Sequence, residues 1–384
     1  MPHVAFAALP AYGHVFPLVP LALATQARGA RVTFATGGEL LGRLPVPTER
    51  GTDAASVGDL VGATMSRFPA ATEDMATRWV PAFFGVVHAE ASLEPLRRLW
   101  SHDRPDLVVY ETTHSAARVV ADDLGIPSVM CGIGHILPMM TSLSEVTRRH
   151  LEDPSVPPWA PLDVAPPLDT YLDPMPAALQ QGDDGSIRTR RPLRSVAWEE
   201  PRPDFVAPWG DSRRPRIYVT LGTVFSGGGW GSEDNPIVGL VREAAQVGDV
   251  LVAVGPAGDP DTVHDPSRGI HAARMVPQAT VLRQADLVVH HGGSGTTLAA
   301  AAAGVPQIVV PQGADQFLNA AAVASTRIGL AFPGERPPGA VVDALTRLRD
   351  DDTYRAAART VAADIAAMPD PDDVAAELVT DADR

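Results

Sequence analysis

The segment DLVVHHGGSGTTLAAAAAGVPQIVVPQGADQFLNAAAV, Asp286 to Val323, constrains this chain more than any other. It reads as a buried strand, Leu287–His290, a glycine-rich turn, a small-residue helix and a second buried strand, Gln307–Pro311. Gly292, Gly293 and Gly295 let the backbone bend tightly and leave room for a ligand to approach. The helix after them offers unpaired N–H groups and the positive end of a dipole, which suits a diphosphate. Asp315 and Gln316 follow the end of the second strand, and ligands of an open α/β sheet bind at the carboxyl ends of its strands. A phosphate site with a hydroxyl-binding site beside it points to a nucleotide-sugar.

Composition narrows the alternatives. A length of 384 residues suits two α/β domains, and a net charge of −15 argues against nucleic acid or an anionic membrane as partner. No long apolar run or basic, apolar leader is present, so the chain reads as cytoplasmic with no integral membrane contact. All 31 basic residues are arginine. A P-loop NTPase and a pyridoxal enzyme each need a lysine, so both classes are excluded. The single cysteine, Cys131, rules out an internal disulfide and a thiolate metal cluster.

Short apolar runs at His3–Leu9, Arg31–Ala35, Asp106–Tyr110 and Ser128–Cys131 alternate with helical patterns and read as parallel strands. Between Leu137 and Arg202 the periodicity dissolves into a proline-rich stretch, read as an irregular insert. The alternation resumes with Arg216–Leu221, Val250–Val254, the two strands above and Leu330–Phe332. The boundaries are set at 1–198 for a first domain, 199–215 for a linker, 216–367 for a second domain and 368–384 for a tail.

The Asp286–Val323 segment resembles the donor-binding motif of GT-B glycosyltransferases of the actinobacterial natural-product type, which includes macrolide, glycopeptide and enediyne enzymes. PAYGHVFPLVPLA at Pro10–Ala22, PDLVVYE at Pro105–Glu111, VTLGT at Val219–Thr223 and MVPQ at Met275–Gln278 fit the same family in order. The resemblance implies an α/β fold of two Rossmann-like doubly wound domains facing across a cleft, with the tail packing back on the first. It implies transfer of a sugar, with inversion, from a dTDP-deoxysugar or UDP-sugar to a hydrophobic or aromatic small-molecule aglycone. The nucleotide-sugar is a co-substrate; no resident cofactor or metal is expected. A homodimer is left open.

His14, in the turn after the first strand, is the candidate general base for the acceptor hydroxyl. Glu111, at the end of another strand, is the candidate carboxylate to hold its tautomer, in a place where many relatives carry Asp; Asp315 or another carboxylate is the alternative. His290 matches the diphosphate-binding histidine of the family, and strand alternation aims His291 elsewhere. The pair lacks metal-ligand spacing. Gly292, Gly295, Thr296 and Thr223 are assigned to the phosphates, Val276 and Gln278 to the base, and Asp315 and Gln316 to the sugar hydroxyls. Met275 stands where plant relatives have a stacking tryptophan. The loop Ser226–Gly231 lacks GxGxxG in register, which disfavours NAD or FAD. Met65, Phe68, Met75, Trp79, Phe83, Phe84, Met139 and Met140 could line an acceptor pocket or simply fill core. A nucleotide-sugar epimerase or a cell-envelope glycosyltransferase on the same fold, and a non-catalytic activator partner, are the rival readings.

Overall fold

The computed structural model describes residues 1–162, 168–182, 185, 187–200, 202–209, 213–222 and 236–383. Thr223 and the glycine-rich loop Ser226–Gly231 lie outside the described residues. The chain divides into two compact units. One comprises Met1–Pro174, Gly182–Arg194 and Pro369–Arg384; the other comprises Met175–Gln181 and Ser195–Met368.

The first unit is built on a parallel sheet of seven described strands: β1 (His3–Ala7), β2 (Arg31–Thr36), β3 (Thr48–Arg50), β4 (Leu107–Glu111), β5 (Ser128–Cys131), β6 (Leu168–Asp173) and β7 (Ile187–Pro192). Their spatial order is β3-β2-β1-β4-β5-β6-β7. Helices cover both faces of such a sheet, so its central strands read as unbroken apolar runs; β1 and β4 are buried throughout. The order reverses between β1 and β4, where Ala7 pairs with Tyr110. A crevice forms at the carboxyl ends of strands beside such a switch point.

The stretch from Leu137 to Arg202 is more regular than its sequence suggests. It contains the helix Leu143–Glu152 and the strands β6 and β7, which extend the sheet. β7, IRTRRP, is a mostly exposed edge strand, and its arginines guard the edge without leaving an apolar alternation to detect. Arg190 pairs with buried Asp173 at 2.5 Å, and Arg191 with Asp381 at 3.1 Å. Asp381 belongs to the C-terminal helix Pro371–Ala382, which packs against the helix Val19–Ala27 of the same unit. That helix starts sharply because Asp370 and Asp373 form a reciprocal capping box and Pro371 sits in its first turn.

The second unit holds a parallel sheet of six described strands: β8 (Arg216–Thr220), β9 (Asp249–Ala253), β10 (Ile270–Ala273), β11 (Leu287–His290), β12 (Gln307–Val309) and β13 (Gly329–Ala331). The order β10-β9-β8-β11-β12-β13 again reverses between two central strands, β8 and β11, with His290 opposite Thr220. The short edge strands β3 and β10 escaped the sequence reading: three and four residues give too little pattern to distinguish a strand from a turn.

Candidate active site

Each unit gathers polar side chains at its own switch point. In the first, His14 lies on the short helix Tyr12–Val15 that follows β1, and Glu111 ends β4. His14 Nδ1 is 3.2 Å from Glu111 Oε1, with the imidazole side chain 20% exposed and the carboxylate completely buried. Among the described residues, the sequence-proposed dyad is therefore in contact. Thr113, which the sequence reading missed, completes it. Its hydroxyl donates to Glu111 Oε1 at 2.6 Å and sits 3.2 Å from His14 Nδ1; its N–H donates to Glu111 Oε2 at 2.7 Å. The Leu9 N–H adds a longer bond of 3.3 Å to Oε1.

Burial pushes the Glu111 carboxyl upward, and this is the largest single influence on it. The charge of His14, its hydrogen bond and the two donors of Thr113 together outweigh it and hold Glu111 down at about 2. An ionised Glu111 facing Nδ1 favours the tautomer with the proton on that nitrogen. The other ring nitrogen, Nε2, is then the proton acceptor.

Two more histidines stand behind the dyad. The rings of His88 and His114 are buried, with centroids 4.6 Å apart. Burial lowers both, His114 to about 4, so they are neutral around pH 7. On another side, the half-buried Phe84 ring lies 5.9 Å from the His14 ring. Phe84, Phe68 and Trp79 pack on a cluster centred on Leu9, Leu60, Phe83 and Val87. Four of the proposed acceptor-pocket residues thus share one cluster. Met65 is exposed, Met139 and Met140 are half-buried, and the Met75 side chain lies outside the described residues.

In the second unit the turn after β11 runs into the helix Ser294–Ala302. Gly292 has φ +91°, and a Cβ there would come within 2.7 Å of Val309 Cγ1, so glycine is required on both counts. The histidine pair corrects the sequence expectation. His290 is fully buried, with Nε2 2.8 Å from Gln307 Oε1 and Nδ1 accepting the Gly292 N–H at 3.0 Å. Both ring nitrogens are spent inside the fold, and burial followed by the neighbouring His291 lowers the group to about 3. His290 holds the turn from beneath and does not present itself to a ligand. His291 is 9% exposed and packs against two glycines: a Cβ on Gly222 would fall 2.6 Å from its Cε1, and one on Gly293 2.5 Å from its Nε2. The ring is wedged between the turns after β8 and β11, with Nδ1 buried and unpaired among the described residues. The strand ends at His290, so the alternation used to aim His291 away no longer applied one residue later.

Gly295 is exposed with open space where a Cβ would be, and the Thr296 hydroxyl lies 3.4 Å from Gln278 Oε1. Gln278 opens the helix Gln278–Leu282, whose Ala279 N–H is capped by Glu199 at 2.8 Å, and half-buried Val276 packs nearby on a core cluster. Asp315 Oδ2 accepts from Ser294 Oγ at 2.7 Å and from Asn319 Nδ2 at 3.2 Å, so it ties the loop after β12 to the start of the glycine-turn helix. Ser294 and Asn319 are again partners the sequence alone did not single out. Gln316 departs from its expected role: it is 3% exposed, and its Oε1 accepts the Gln312 and Gly313 N–H groups at 2.7 and 3.2 Å. It shapes the loop rather than extending that oxygen toward a sugar. Among the described residues no cluster of three or more His, Cys, Asp or Glu side chains could hold a metal ion, and no helix is long and apolar enough to cross a membrane.

Comparison with known proteins identifies the scaffold. The chain is 35% identical to the elloramycin glycosyltransferase ElmGT of Streptomyces olivaceus over 97% of this chain and 96% of that one. The chain belongs to the antibiotic-type natural-product glycosyltransferases. This glycosyltransferase is also 34% identical to the L-demethylnoviosyl transferase of Streptomyces niveus over 98% of both chains. Its residues 239–380 match the family model for the erythromycin biosynthesis protein CIII-like C-terminal domain. Among solved structures it is similar to the glycosyltransferase SnogD of Streptomyces nogalater, with a TM-score of 0.76, 26% identity and 99% of each chain covered. The two doubly wound units are those of the GT-B fold, and the enzyme transfers a sugar in natural-product biosynthesis.

Proposed function

We propose that this glycosyltransferase works with inversion and without a metal, His14 taking the proton of an acceptor hydroxyl as that oxygen attacks the anomeric carbon of a nucleotide-sugar. The supporting observation is the 3.2 Å contact of partly exposed His14 with fully buried Glu111. Glu111 and Thr113 fix the ring and leave Nε2 to accept the proton; once it has, the carboxylate stabilises the imidazolium. Such a base contributes roughly 10²–10⁴-fold to rate. As the C–O bond to the donor breaks, charge develops on the leaving diphosphate. The N-terminus of the helix Ser294–Ala302, the Thr296 hydroxyl and the wedged His291 offer donors for that charge. Val276 and Gln278 are assigned to the base, and Asp315 to the sugar. We read the donor as a dTDP-deoxysugar, with a UDP-sugar as the other form, and the acceptor as an apolar or aromatic aglycone. The apolar cluster beside His14 supports the acceptor reading. The decisive experiment is His14→Ala. Turnover on an alcohol acceptor should fall by about two to four orders of magnitude while calorimetric affinity for the nucleoside diphosphate persists. Wild-type turnover in that variant would place the base elsewhere.

A further inference from the structure

The helix Gln278–Leu282 begins without a cap of its own. Its five residues make little more than one turn, too short to be stable without outside help. The first N–H groups of any helix lack intrahelical acceptors, and the residue before the first turn ordinarily supplies one from its side chain. Here that residue is Pro277, which has no side-chain acceptor and makes no such bond. Glu199, 80 residues before Ala279 in the chain, supplies the acceptor instead. Its Oε2 accepts the Ala279 N–H at 2.8 Å and its Oε1 accepts the Thr280 hydroxyl at 2.8 Å, so both carboxylate oxygens are spent on the first turn. A negative charge in that place also suits the positive end of the helix dipole.

The turn that leads into this helix is held at its other end by the same stretch of chain. The Arg202 guanidinium donates to the Met275 carbonyl at 3.1 Å. Phe205, Ala207 and Trp209 follow and pack in the core cluster that includes Val276, Val281 and Leu282. The segment from Met275 to Gln278 is thus bracketed, with a carbonyl tied on one side and an N–H tied just beyond the other. Between these ties the Val276 N–H and C=O have no hydrogen-bond partner among the described residues, so both stay open to a ligand. Gln278 is joined to two further elements: its Oε1 lies 3.5 Å from the Tyr218 hydroxyl on β8 and 3.4 Å from the Thr296 hydroxyl on the helix after the glycine turn.

We propose that Glu199 is a positioning residue for nucleobase recognition: by capping Gln278–Leu282 from outside, it holds Val276 and Gln278 in the shape that reads the base. This inference rests on the assignment of Val276 and Gln278 to the base of the donor. It makes donor affinity depend on a carboxylate whose two oxygens are both engaged inside the protein. A turn that is ordered in only a fraction of the molecules binds with an affinity reduced by that fraction. Loss of a helix cap accounts for about three- to thirtyfold.

The test compares the dissociation constants of dTDP and of inorganic pyrophosphate, which carries the diphosphate charge but no base, by direct and competition calorimetry. Glu199→Ala should weaken dTDP about three- to thirtyfold and leave pyrophosphate within about twofold. Glu199→Asp, one methylene short of its two donors, should lie in between, which covers the case in which the alanine variant does not fold. Glu199→Gln should recover most of the preference, because its amide oxygen can accept the Ala279 N–H while its NH₂ donates to the Thr280 oxygen. A purely structural carboxylate would lower the melting temperature without moving the ratio of the two constants. An unchanged ratio in the folded Glu199→Ala and Glu199→Asp enzymes, with a lowered ratio in Gln278→Ala, would overturn the proposal and leave the base assignment standing. Failure of that assignment has a different signature: Gln278→Ala and the Glu199 variants would all keep the wild-type ratio, and the proposal would fall with it.

Discussion

Replacing Glu111 by glutamine probes the electrostatics of the dyad without changing its shape. The carboxylate is fully buried and lies 3.2 Å from His14 Nδ1. Its fall from an ordinary glutamate value to about 2 corresponds to about 3 kcal/mol in favour of the ionised form. Burial opposes that figure, so the partners supply all of it, His14 first and Thr113 after it. Imidazolium formation in the transition state draws on the same interaction. A hydrogen bond to a charged group is worth about 1.5–3 kcal/mol, so losing this one should lower kcat on an aliphatic alcohol by roughly 10- to 150-fold. Glutamine cannot restore the bonding in either amide orientation. An NH₂ in the Oε2 place would face the Thr113 N–H, and one in the Oε1 place would face the Leu9 N–H and the Thr113 hydroxyl. A buried donor facing a donor costs about 1–3 kcal/mol, so the melting temperature should fall by a few degrees. The assay is chromatographic product formation at saturating donor and acceptor, beside a thermal melt. On an acidic phenol, which ionises unaided, the kcat defect should shrink as pH rises. A folded Glu111→Gln enzyme with wild-type kcat on the alcohol, or an equal loss on both acceptors at every pH, would refute the argument.

Other consequences are open to direct measurement. His291→Ala should weaken nucleoside diphosphate binding in calorimetry by about tenfold or more; unchanged affinity would remove His291 from the phosphate site. His290→Ala should instead lower the melting temperature, because Gln307 Oε1 and the Gly292 N–H both lose their partner. His114 and His291 are held at about 4 and His290 at about 3, all below an unfolded histidine. Between those values and about 6.5 the unfolded chain binds more protons than the folded one. Their contribution to stability is therefore complete above about pH 6.5 and is lost as pH falls through about 4. The urea midpoint should drop steadily over that range, and a flat or rising midpoint would contradict it. Turnover should withstand EDTA; a loss restored by magnesium or manganese would contradict leaving-group stabilisation by the helix terminus and His291.

The sequence by itself carried the two repeated β/α alternations, the central strands and the glycine turn, and it offered Glu111 as a candidate partner for His14. These rest on local pattern: unbroken apolar runs for strands buried on both faces, and polar residues at the strand ends beside each reversal of order. Strand β7 was hidden because an edge strand needs charge rather than apolar alternation, and the stability of IRTRRP comes from Asp173 and from a helix nearly two hundred residues away. Only tertiary structure decided how each histidine of the pair is packed. Adjacent residues at a strand end obey no fixed alternation once the turn begins, and their directions were set by distant groups. Gln307 draws His290 inward, and the bare backbone of Gly222 and Gly293 makes room for His291. Gln316 likewise matched the motif in type, but the loop after β12 claimed its oxygen. The π-helix Pro81–Val87, which carries Phe84, belongs to the same class. Nothing in PAFFGVV announces a wide helix; the close packing of Gly85 on Val146 and the hydroxyls of Ser115 and Thr147 accompany it, and those contacts exist only in the folded chain.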